Sequence, residues 1–373
     1  MTNAPLHGAT NTGTASTSVF VATFTGVLAV TALLLVLDLF LAGVDHRESE
    51  AHAAAEYDAG RALLASGHPD QAGEHFGTAV AVDRGNVSYA LALAEATLEQ
   101  GRLVEAEATL RGLLDRAEND GAVNLTMAHV MVREQKPAEA KAYFHRAIFG
   151  HWASDSVARR TQARLELIDL LVRQGAAREL LAELLPFEDV SPDSIPFRVR
   201  LGQLFIAAGS PTRAATTFRA VLRRDPRNPD AYAGMGQAAL ELGNLRTARA
   251  DVATAARLRP ADTDIARRLA TIDSVIALDP TDRDVGESER YARSRALLGR
   301  TIAVVGLCPQ AGGPAISDSV RAMPSATVPA RRQQTAAETM VQAAIDVWGA
   351  RPAQCAAAAR DTVLRLVHVH LAQ

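Results

Sequence analysis

The chain has 373 residues, 48% of them hydrophobic and only 5% aromatic, with 39 basic and 42 acidic side chains and a formal net charge of -3. This balance excludes a strong overall electrostatic field, so no nucleic-acid partner is expected. The shortage of aromatic residues and the abundance of alanine favour closely packed helices over sheets.

The first element in chain order is an apolar segment that follows a polar tail, 1–18, predicted to be disordered. Residues 19–44 carry Asp38 as their only charge, and a helix needs about 20 apolar residues to cross a bilayer. We therefore expect a transmembrane anchor over 19–44 in contact with the lipid bilayer, followed by a juxtamembrane linker over 45–52. The alternative is a cleaved secretory signal, whose apolar core would be shorter, about 7 to 15 residues.

From residue 53 onwards, similar residue types recur every 34 positions. Such a period predicts a repeat architecture in which each repeat is a pair of helices joined by a tight turn. The repeats are expected at 53–86, 87–120, 121–154, 161–194, 195–228 and 229–262, with a capping helix at 263–277. The predicted turn residues, mostly glycines that tolerate a left-handed backbone, are Gly67, Gly101, Gln135, Gly175, Gly209 and Gly243.

Two kinds of core position repeat with the same period. Small residues at the eighth and twentieth positions let the two helices of a repeat approach closely, and bulky apolar residues at the twenty-fourth position fill the space between repeats. The bulky residues are Phe76, Leu110, Phe144, Leu184 and Phe218. The fourth repeat departs from the pattern with Ile168 and Leu180 where small residues are expected. It follows an insertion within 149–160, which is predicted to divide the array into two blocks of three repeats. Trp152 of the insertion is predicted to fill a widened gap, with an exposed contact as the alternative.

This set of positions resembles the tetratricopeptide repeat family, above all in the stretches "AYAGMGQAALELGNLRTARADVATAARLRP" and "FRVRLGQLFIAAGSPTRAATTFRAVLRRDP". The resemblance covers roughly residues 53–275. It implies an all-α fold, a right-handed superhelical solenoid of about six helix-turn-helix repeats over 53–280.

The resemblance also implies a groove, lined by the first helix of each repeat, that receives a peptide or a partner helix. The most basic stretch of the groove, Arg133 and Arg173 with His129, is expected to contact an acidic partner segment. The alternative is that the groove charges are only the solvated face of ordinary helices. The groove residues carried over are Tyr57, Arg61, Glu95, Glu99, His129, Arg133, Asp169, Arg173, Gln203, Gln237 and Glu241.

The last part, 281–373, is predicted to be helical near 288–307, 334–349 and 353–370, with a Pro- and Gly-rich loop over 309–331. Both cysteines of the chain, Cys308 and Cys355, lie here. In an oxidising compartment a disulfide between them would add about 3 to 4 kcal/mol. Two buried free thiols are the alternative. No metal site is expected, because the sequence lacks four closely spaced zinc ligands here.

The sequence contains no GxSxG, HExxH, Walker or GxGxxG motif, so we predict neither catalysis nor a cofactor. We expect a non-enzymatic scaffold with a single span in a bacterial inner membrane, binding a protein or peptide. Charges flanking the span favour a cytoplasmic solenoid, but the cysteine pair favours the periplasm, which is the side we expect. The alternatives are a regulatory or accessory subunit whose C-terminal region binds a small molecule or changes thiol redox state, and an enzyme with a polar pocket within 288–373.

Overall fold

The computed structural model describes residues 14–308 and 316–372, and within the first helix it describes the side chains of Phe24, Leu28 and all residues from Val30 onwards. In these ranges all regular structure is helical except one isolated β-bridge. The helices are α1 (Thr14–Ala65), α2 (Pro69–Val82), α3 (Val87–Glu99), α4 (Leu103–Leu114), α5 (Gly121–Arg133), α6 (Pro137–Phe149), α7 (Ser156–Gln174), α8 (Ala177–Glu188), α9 (Ile195–Ala207), α10 (Pro211–Arg224), α11 (Pro229–Glu241), α12 (Leu245–Leu258), α13 (Thr263–Leu278), α14 (Glu287–Gly306), α15 (Asp318–Ala322), α16 (Gln333–Gly349), α17 (Ala356–Arg360) and α18 (Thr362–Leu371).

The helices form two compact units, Met1–Leu167 (unit 1) and Ile168–Gln373 (unit 2). Within unit 1, consecutive helices pack against each other from α1 through to α6, and within unit 2 consecutive helices do so from α8 through to α13. This order is that of a solenoid of helix hairpins, as the 34-residue period predicts. The predicted division of the array fell in the insertion at 149–160, whereas the compact units divide within α7.

Local sequence signals start each helix at the same place in the repeat. The residue before a first helix caps it: the Asn86 side chain accepts hydrogen bonds from the backbone of Ser88 and Tyr89, and Asp120, Ser194, Asn228 and Asp262 cap their own helices in the same way. Second helices α2, α6 and α10 instead begin with proline, whose fixed φ suits the first turn.

The predicted turns are confirmed at all six positions. Gly67, Gly101, Gly175, Gly209 and Gly243 have φ between +63° and +80°, and Gln135, at the equivalent place in the third repeat, has φ of +59°. A left-handed residue ends each first helix and reverses the chain into the second helix. Gln135 therefore adopts a conformation that L-residues disfavour, because its Cβ approaches the following carbonyl oxygen.

The small and bulky positions meet as the sequence predicts. In unit 1, Gly60 lies against the Phe76 ring so closely that a Cβ at Gly60 would come within 2.7 Å of it, and Phe76 is fully buried. In unit 2, Gly202 and Gly234 both face the Phe218 ring, where an added Cβ would approach to 2.6 Å and 2.2 Å. The two helices of these repeats can therefore lie this close together because glycine, which has no side chain, faces the phenylalanine ring.

The insertion before the fourth repeat is bound back onto unit 1. The backbone of His151 exchanges two hydrogen bonds of 2.7 Å with Asn119 and Gly121. The Trp152 ring lies directly over Gly121 and its indole N–H donates to the carbonyl of Ala147 at 2.8 Å. Trp152 therefore fills the gap that the insertion opens, as predicted.

In unit 2 the C-terminal helices pack against α13, the helix predicted to cap the array without a second helix. Helices α14 and α18 both contact α13. Val275 of α13, Leu297 of α14, Trp348 of α16 and Leu364 of α18 belong to one hydrophobic core. Within this core the His368 ring stacks on Trp348 at 4.6 Å and bonds with the Thr301 hydroxyl at 3.1 Å. Burial, helped by the charge of Arg351, lowers the pKa of His368 to about 4.

A disulfide joins Cys308, at the end of α14, to Cys355, the residue that caps α17, with their Cα atoms 5.1 Å apart. Both cysteines are buried, and because they are bonded to each other the structure has the disulfide and not the alternative of two free thiols. The predicted helix over 353–370 is corrected to two short helices that break at Asp361, where Arg300 binds the carboxylate with two hydrogen bonds of 2.9 Å. Part of the predicted loop 309–331 is also helical, at α15 and the 3₁₀ turn Met323–Ser325, while 309–315 lie outside the described residues.

The N-terminal helix differs from the prediction in two respects. Residues 45–52, expected to be a linker, and 14–18, expected to be disordered, belong to the continuous helix α1; the rest of the predicted tail, 1–13, lies outside the described residues. Among the described residues no helix has an apolar stretch long enough to span a membrane. The predicted transmembrane helix is thus not confirmed, and many side chains of 19–44 lie outside those described.

Candidate functional site

The predicted groove residues lie on the first helices, which are side by side in each compact unit: α1, α3 and α5 in unit 1, and α9 and α11 in unit 2. We call these surfaces the first-helix faces, that of unit 1 running from Tyr57 to Glu166 and that of unit 2 from Asp169 to Arg268.

On the first-helix face of unit 1 the charged side chains mostly bind each other. Arg133 donates to the carboxylate of Glu99 at 2.7 Å and to the carbonyl of Leu98 at 2.8 Å, which connects α5 to α3. His129 pairs with Glu166 of α7, whose other oxygen accepts a hydrogen bond from Gln162 at 3.0 Å. These contacts join successive first helices, so Arg133 and His129 are not free to meet an acidic partner segment.

Burial and pairing shift the pKa values of two carboxylates of this face, Glu95 and Glu166, in opposite directions. Burial raises the pKa of Glu95, against a hydrogen bond of 3.4 Å from the Thr126 hydroxyl and the charge of His129. Burial also raises the pKa of Glu166, but the hydrogen bond and charge of His129 outweigh it and leave the pKa below its usual value. Glu166 is therefore stabilised as an anion, whereas Glu95 resists ionisation.

Aromatic rings occupy the start of the same face. Tyr57 packs at 5.1 Å from the Tyr89 ring and 5.8 Å from the Phe76 ring, and the Arg61 guanidinium lies 5.8 Å above Tyr57. These contacts hold Tyr57 and Arg61 against the first hairpins. Their arrangement is that of a packed surface with a polar rim.

The first-helix face of unit 2 has a different character, because it contains an open cavity of ≈ 350 Å³. Predicted groove residues Gln203 and Gln237 line it from neighbouring helices α9 and α11. The full lining is Gln203, Ile206, Phe218, Asp230, Ala233, Gly234, Gln237, Asp262, Asp264, Ile265 and Arg268. Six of these eleven residues have polar or charged side chains, a larger share than in a typical small-molecule pocket, whose lining is mostly apolar.

The remaining predicted residues of this face are not part of the lining of this cavity. Asp169 of α7 pairs with Arg200 at 2.6 Å, and Glu241 accepts a hydrogen bond from Gln237 at 3.2 Å. Arg173 is exposed. Of the predicted set, Gln203 and Gln237 are brought together around this cavity.

The sequence analysis did not identify five further residues of the cavity lining: Asp230, Gly234, Asp262, Asp264 and Arg268. A signal for most of them existed. The predicted residues stand mainly at positions nine and thirteen of the repeats, and a helix places residues three or four apart on one face. Positions six and two continue that face towards the start of the helix, and in the sixth repeat and one period beyond it they are the residues of this set other than Asp262, the capping residue.

Comparison with known proteins identifies the repeats. Residues 63–130 and 199–270 each match the tetratricopeptide repeat family. No curated protein matches the chain.

Solved structures with similar folds include PilF of Pseudomonas aeruginosa, which is 14% identical, with 60% of this chain and 99% of that chain covered and a TM-score of 0.41. PilW, described as a type IV pilus biogenesis factor, is 20% identical over 59% of this chain and 97% of its own, with a TM-score of 0.40. The C-terminal part of a repeat protein from Cytophaga hutchinsonii is 12% identical over 78% and 98%, with a TM-score of 0.42. Similarity this distant does not indicate a shared partner.

Proposed function

Since this chain is a tetratricopeptide repeat protein, we propose that it is a membrane-anchored, non-enzymatic scaffold that binds a protein or peptide on the first-helix face of unit 2. The observation that carries the proposal is the ≈ 350 Å³ cavity to which Gln203 and Gln237 both contribute. Its size lies at the small end of the range for ligand pockets, about 300 to 1,000 Å³, which suits one or two side chains of a partner segment.

The first-helix face of unit 1 has a supporting role in this proposal. Its ion pairs, Arg133 with Glu99 and His129 with Glu166, bind the side chains that a partner would otherwise contact. A partner would have to break them before it could bind. The groove function is therefore assigned to unit 2, and the paired residues of unit 1 to holding adjacent hairpins together.

Photocrosslinking tests where the partner binds. A photoreactive amino acid replaces Gln203 or Gln237 in the full chain, and Arg219, an exposed residue of second helix α10, is the matched control. We expect a discrete adduct from both groove positions and none from position 219. Equal labelling from all three positions, or from position 219 alone, would contradict the assignment.

The anchor is proposed from the apolar surface of α1. Large apolar side chains from Phe24 to Leu41 are exposed on the helix, between 48% and 74% for those described. Exposed apolar area of this extent is unfavourable in water and favourable in lipid. We expect the full chain to stay with membranes during alkaline carbonate extraction, and a chain lacking residues 1–44 to be released. Release of the full chain would refute the anchor.

The periplasmic side is proposed from the disulfide. Disulfides form and persist in oxidising compartments and are rare in the cytosol, and Cys308 and Cys355 are bonded. C-terminal fusions to reporters that work only in the periplasm or only in the cytoplasm test this directly. Activity of the cytoplasmic reporter alone would contradict the periplasmic assignment.

One observation favours the second candidate, a regulatory or accessory subunit that binds a small molecule. The C-terminal region contains a cavity of ≈ 540 Å³ with apolar residues Met323, Val328, Pro329, Ala336 and Met340 in its lining. A screen of small apolar compounds for thermal stabilisation tests it, with Ala336→Trp as the variant that fills the cavity. Stabilisation that Ala336→Trp does not abolish would exclude this cavity. The alternative that the C-terminal region acts by changing its thiol redox state has less support. Both sulfur atoms are in a buried disulfide, and thiol–disulfide exchange requires an accessible sulfur.

A further inference from the structure

The unit 2 cavity contains one charge that the protein leaves uncompensated. Within residues 14–308 and 316–372, the guanidinium of Arg268 makes no ion pair, side-chain hydrogen bond or ring contact, although it is exposed and lines the cavity. Its neighbours Arg259 and Arg267 each bind a carboxylate. Arg268 is thus the charged group of the cavity that a ligand would complete.

The carboxylates of the cavity are already compensated. Arg259 binds Asp230 through two hydrogen bonds of 2.8 Å and also contacts Asp262 at 3.4 Å. Asp264 pairs with Arg267 at 2.5 Å. Two hydrogen bonds from the backbone of Ile265 and Asp264, the first being the strongest influence, hold the pKa of Asp262 below its usual value. These three residues carry negative charge, but each has a cation or backbone donor beside it.

The floor of the cavity is apolar. Ile265 and Ala233 are buried at 4% and 7% exposure, and Ile206 lies beside them. Gly234 lies over the Phe218 ring, where any side chain would clash. A residue larger than glycine at 234 would rise into the cavity or displace the ring. The floor therefore has room for an apolar side chain of a ligand.

We propose that the unit 2 cavity binds an extended partner segment in which an apolar side chain enters the floor and a nearby aspartate or glutamate side chain pairs with Arg268. The amides of Gln203 and Gln237 carry both donors and acceptors, and they lie beside the path of such a segment. This inference rests on the proposed scaffold function and names the chemistry of its partner.

Immobilised peptides test the inference with the full chain in detergent. Each peptide is acetylated and amidated, contains one leucine in a Gly and Ser background, and has Glu, Gln or Lys two or three residues after the leucine. We expect the Glu peptides to be retained about fivefold better than the Gln peptides, the effect of one partly exposed ion pair, and the Lys peptides to be retained least.

Two charge-reversal variants of exposed arginines provide the comparison. Arg268→Glu should reverse the order, so that Lys peptides are retained best. Arg219→Glu, at an exposed residue of α10 outside the cavity, should keep the wild-type order. Circular dichroism checks that both variants fold, which is expected because both side chains are exposed.

Several results would overturn the inference. Equal retention of Glu and Lys peptides by the wild type, or the same reversal from Arg219→Glu, would remove Arg268 from recognition. If the amidated Glu and Gln peptides are retained equally, and a Gln peptide made with a free C-terminal carboxylate is retained better than both, a side-chain carboxylate is excluded. If position 203 and position 237 crosslink a partner but peptide charge has no effect, the scaffold role stands and only this inference fails.

Discussion

The left-handed turn residues allow a test in which the same chemical change has opposite effects. Gly101 has φ of +79° and Gly112 lies inside helix α4, and an added Cβ would meet nothing within 4 Å at either position. Replacing each by alanine therefore changes only backbone energetics. Gly112→Ala removes the entropic cost of glycine in a helix, about 0.5 to 1 kcal/mol, and should stabilise.

Gly101→Ala should destabilise. An L-residue in the left-handed region costs roughly 1 to 2 kcal/mol, and the more restricted unfolded chain offsets about 0.4 to 1 kcal/mol of that. The net loss is about 1 kcal/mol. At Gln135, with φ of +59°, the reverse holds, so Gln135→Gly should stabilise by about the same amount.

Thermal unfolding followed by circular dichroism measures these effects. For a cooperative unit of about 150 to 250 residues, 1 kcal/mol corresponds to roughly 2 to 4 °C, and all three positions lie in unit 1, Met1–Leu167. We expect Gly101→Ala to lower the midpoint and Gly112→Ala and Gln135→Gly to raise it. Shifts of the same sign for the two alanine variants would refute the backbone argument.

Three further predictions concern ionisation and the disulfide. The hydrogen bond and charge of His129 hold the pKa of Glu166 below its usual value in the folded state, so Glu166→Gln should lower the free energy of unfolding at pH 7. This loss should disappear as pH falls through the lowered pKa, where Glu166 is protonated in the folded protein too. The pKa of Glu95 is raised, so Glu95→Gln should raise stability at pH 7 and have no effect well below pH 4.5; midpoints measured against pH check both. Cys355→Ser opens a disulfide across 47 residues, which should cost about 4 kcal/mol and slow migration on a non-reducing gel; unchanged mobility and stability would disprove the bridge.

The repeat architecture was predictable because its signals are local and recur. The six turn residues, Gly67 through Gly243, were each placed correctly since a left-handed backbone requires glycine or a strained substitute. The small and bulky core positions also fell where expected, since a 34-residue period leaves few ways to stack hairpins. The disulfide was left open because pairing depends on the distance between two distant segments.

The candidate binding surface was predicted less completely than the fold. Position nine of the repeats was identified, and Gln203 and Gln237 do line a cavity. The basic stretch of His129, Arg133 and Arg173 was predicted without its ion pairs, because Glu166 and Glu99, the partners of His129 and Arg133, lie about one repeat away in sequence. Side-chain pairing across neighbouring helices is invisible to a pattern that treats each helix alone.

By itself, the sequence determined the helix pairs, their turns and the residues that let them approach, since each depends on backbone preference or side-chain size at a repeated position. Only the tertiary structure decided which charged side chains form ion pairs with neighbouring helices and which have no partner. Arg259 is bound to Asp230 and Arg133 to Glu99, each on a different helix of the array, whereas Arg268 has no carboxylate partner among the described residues. The physical reason is that compensation of a charge depends on distances between helices, which residue order along one helix does not contain.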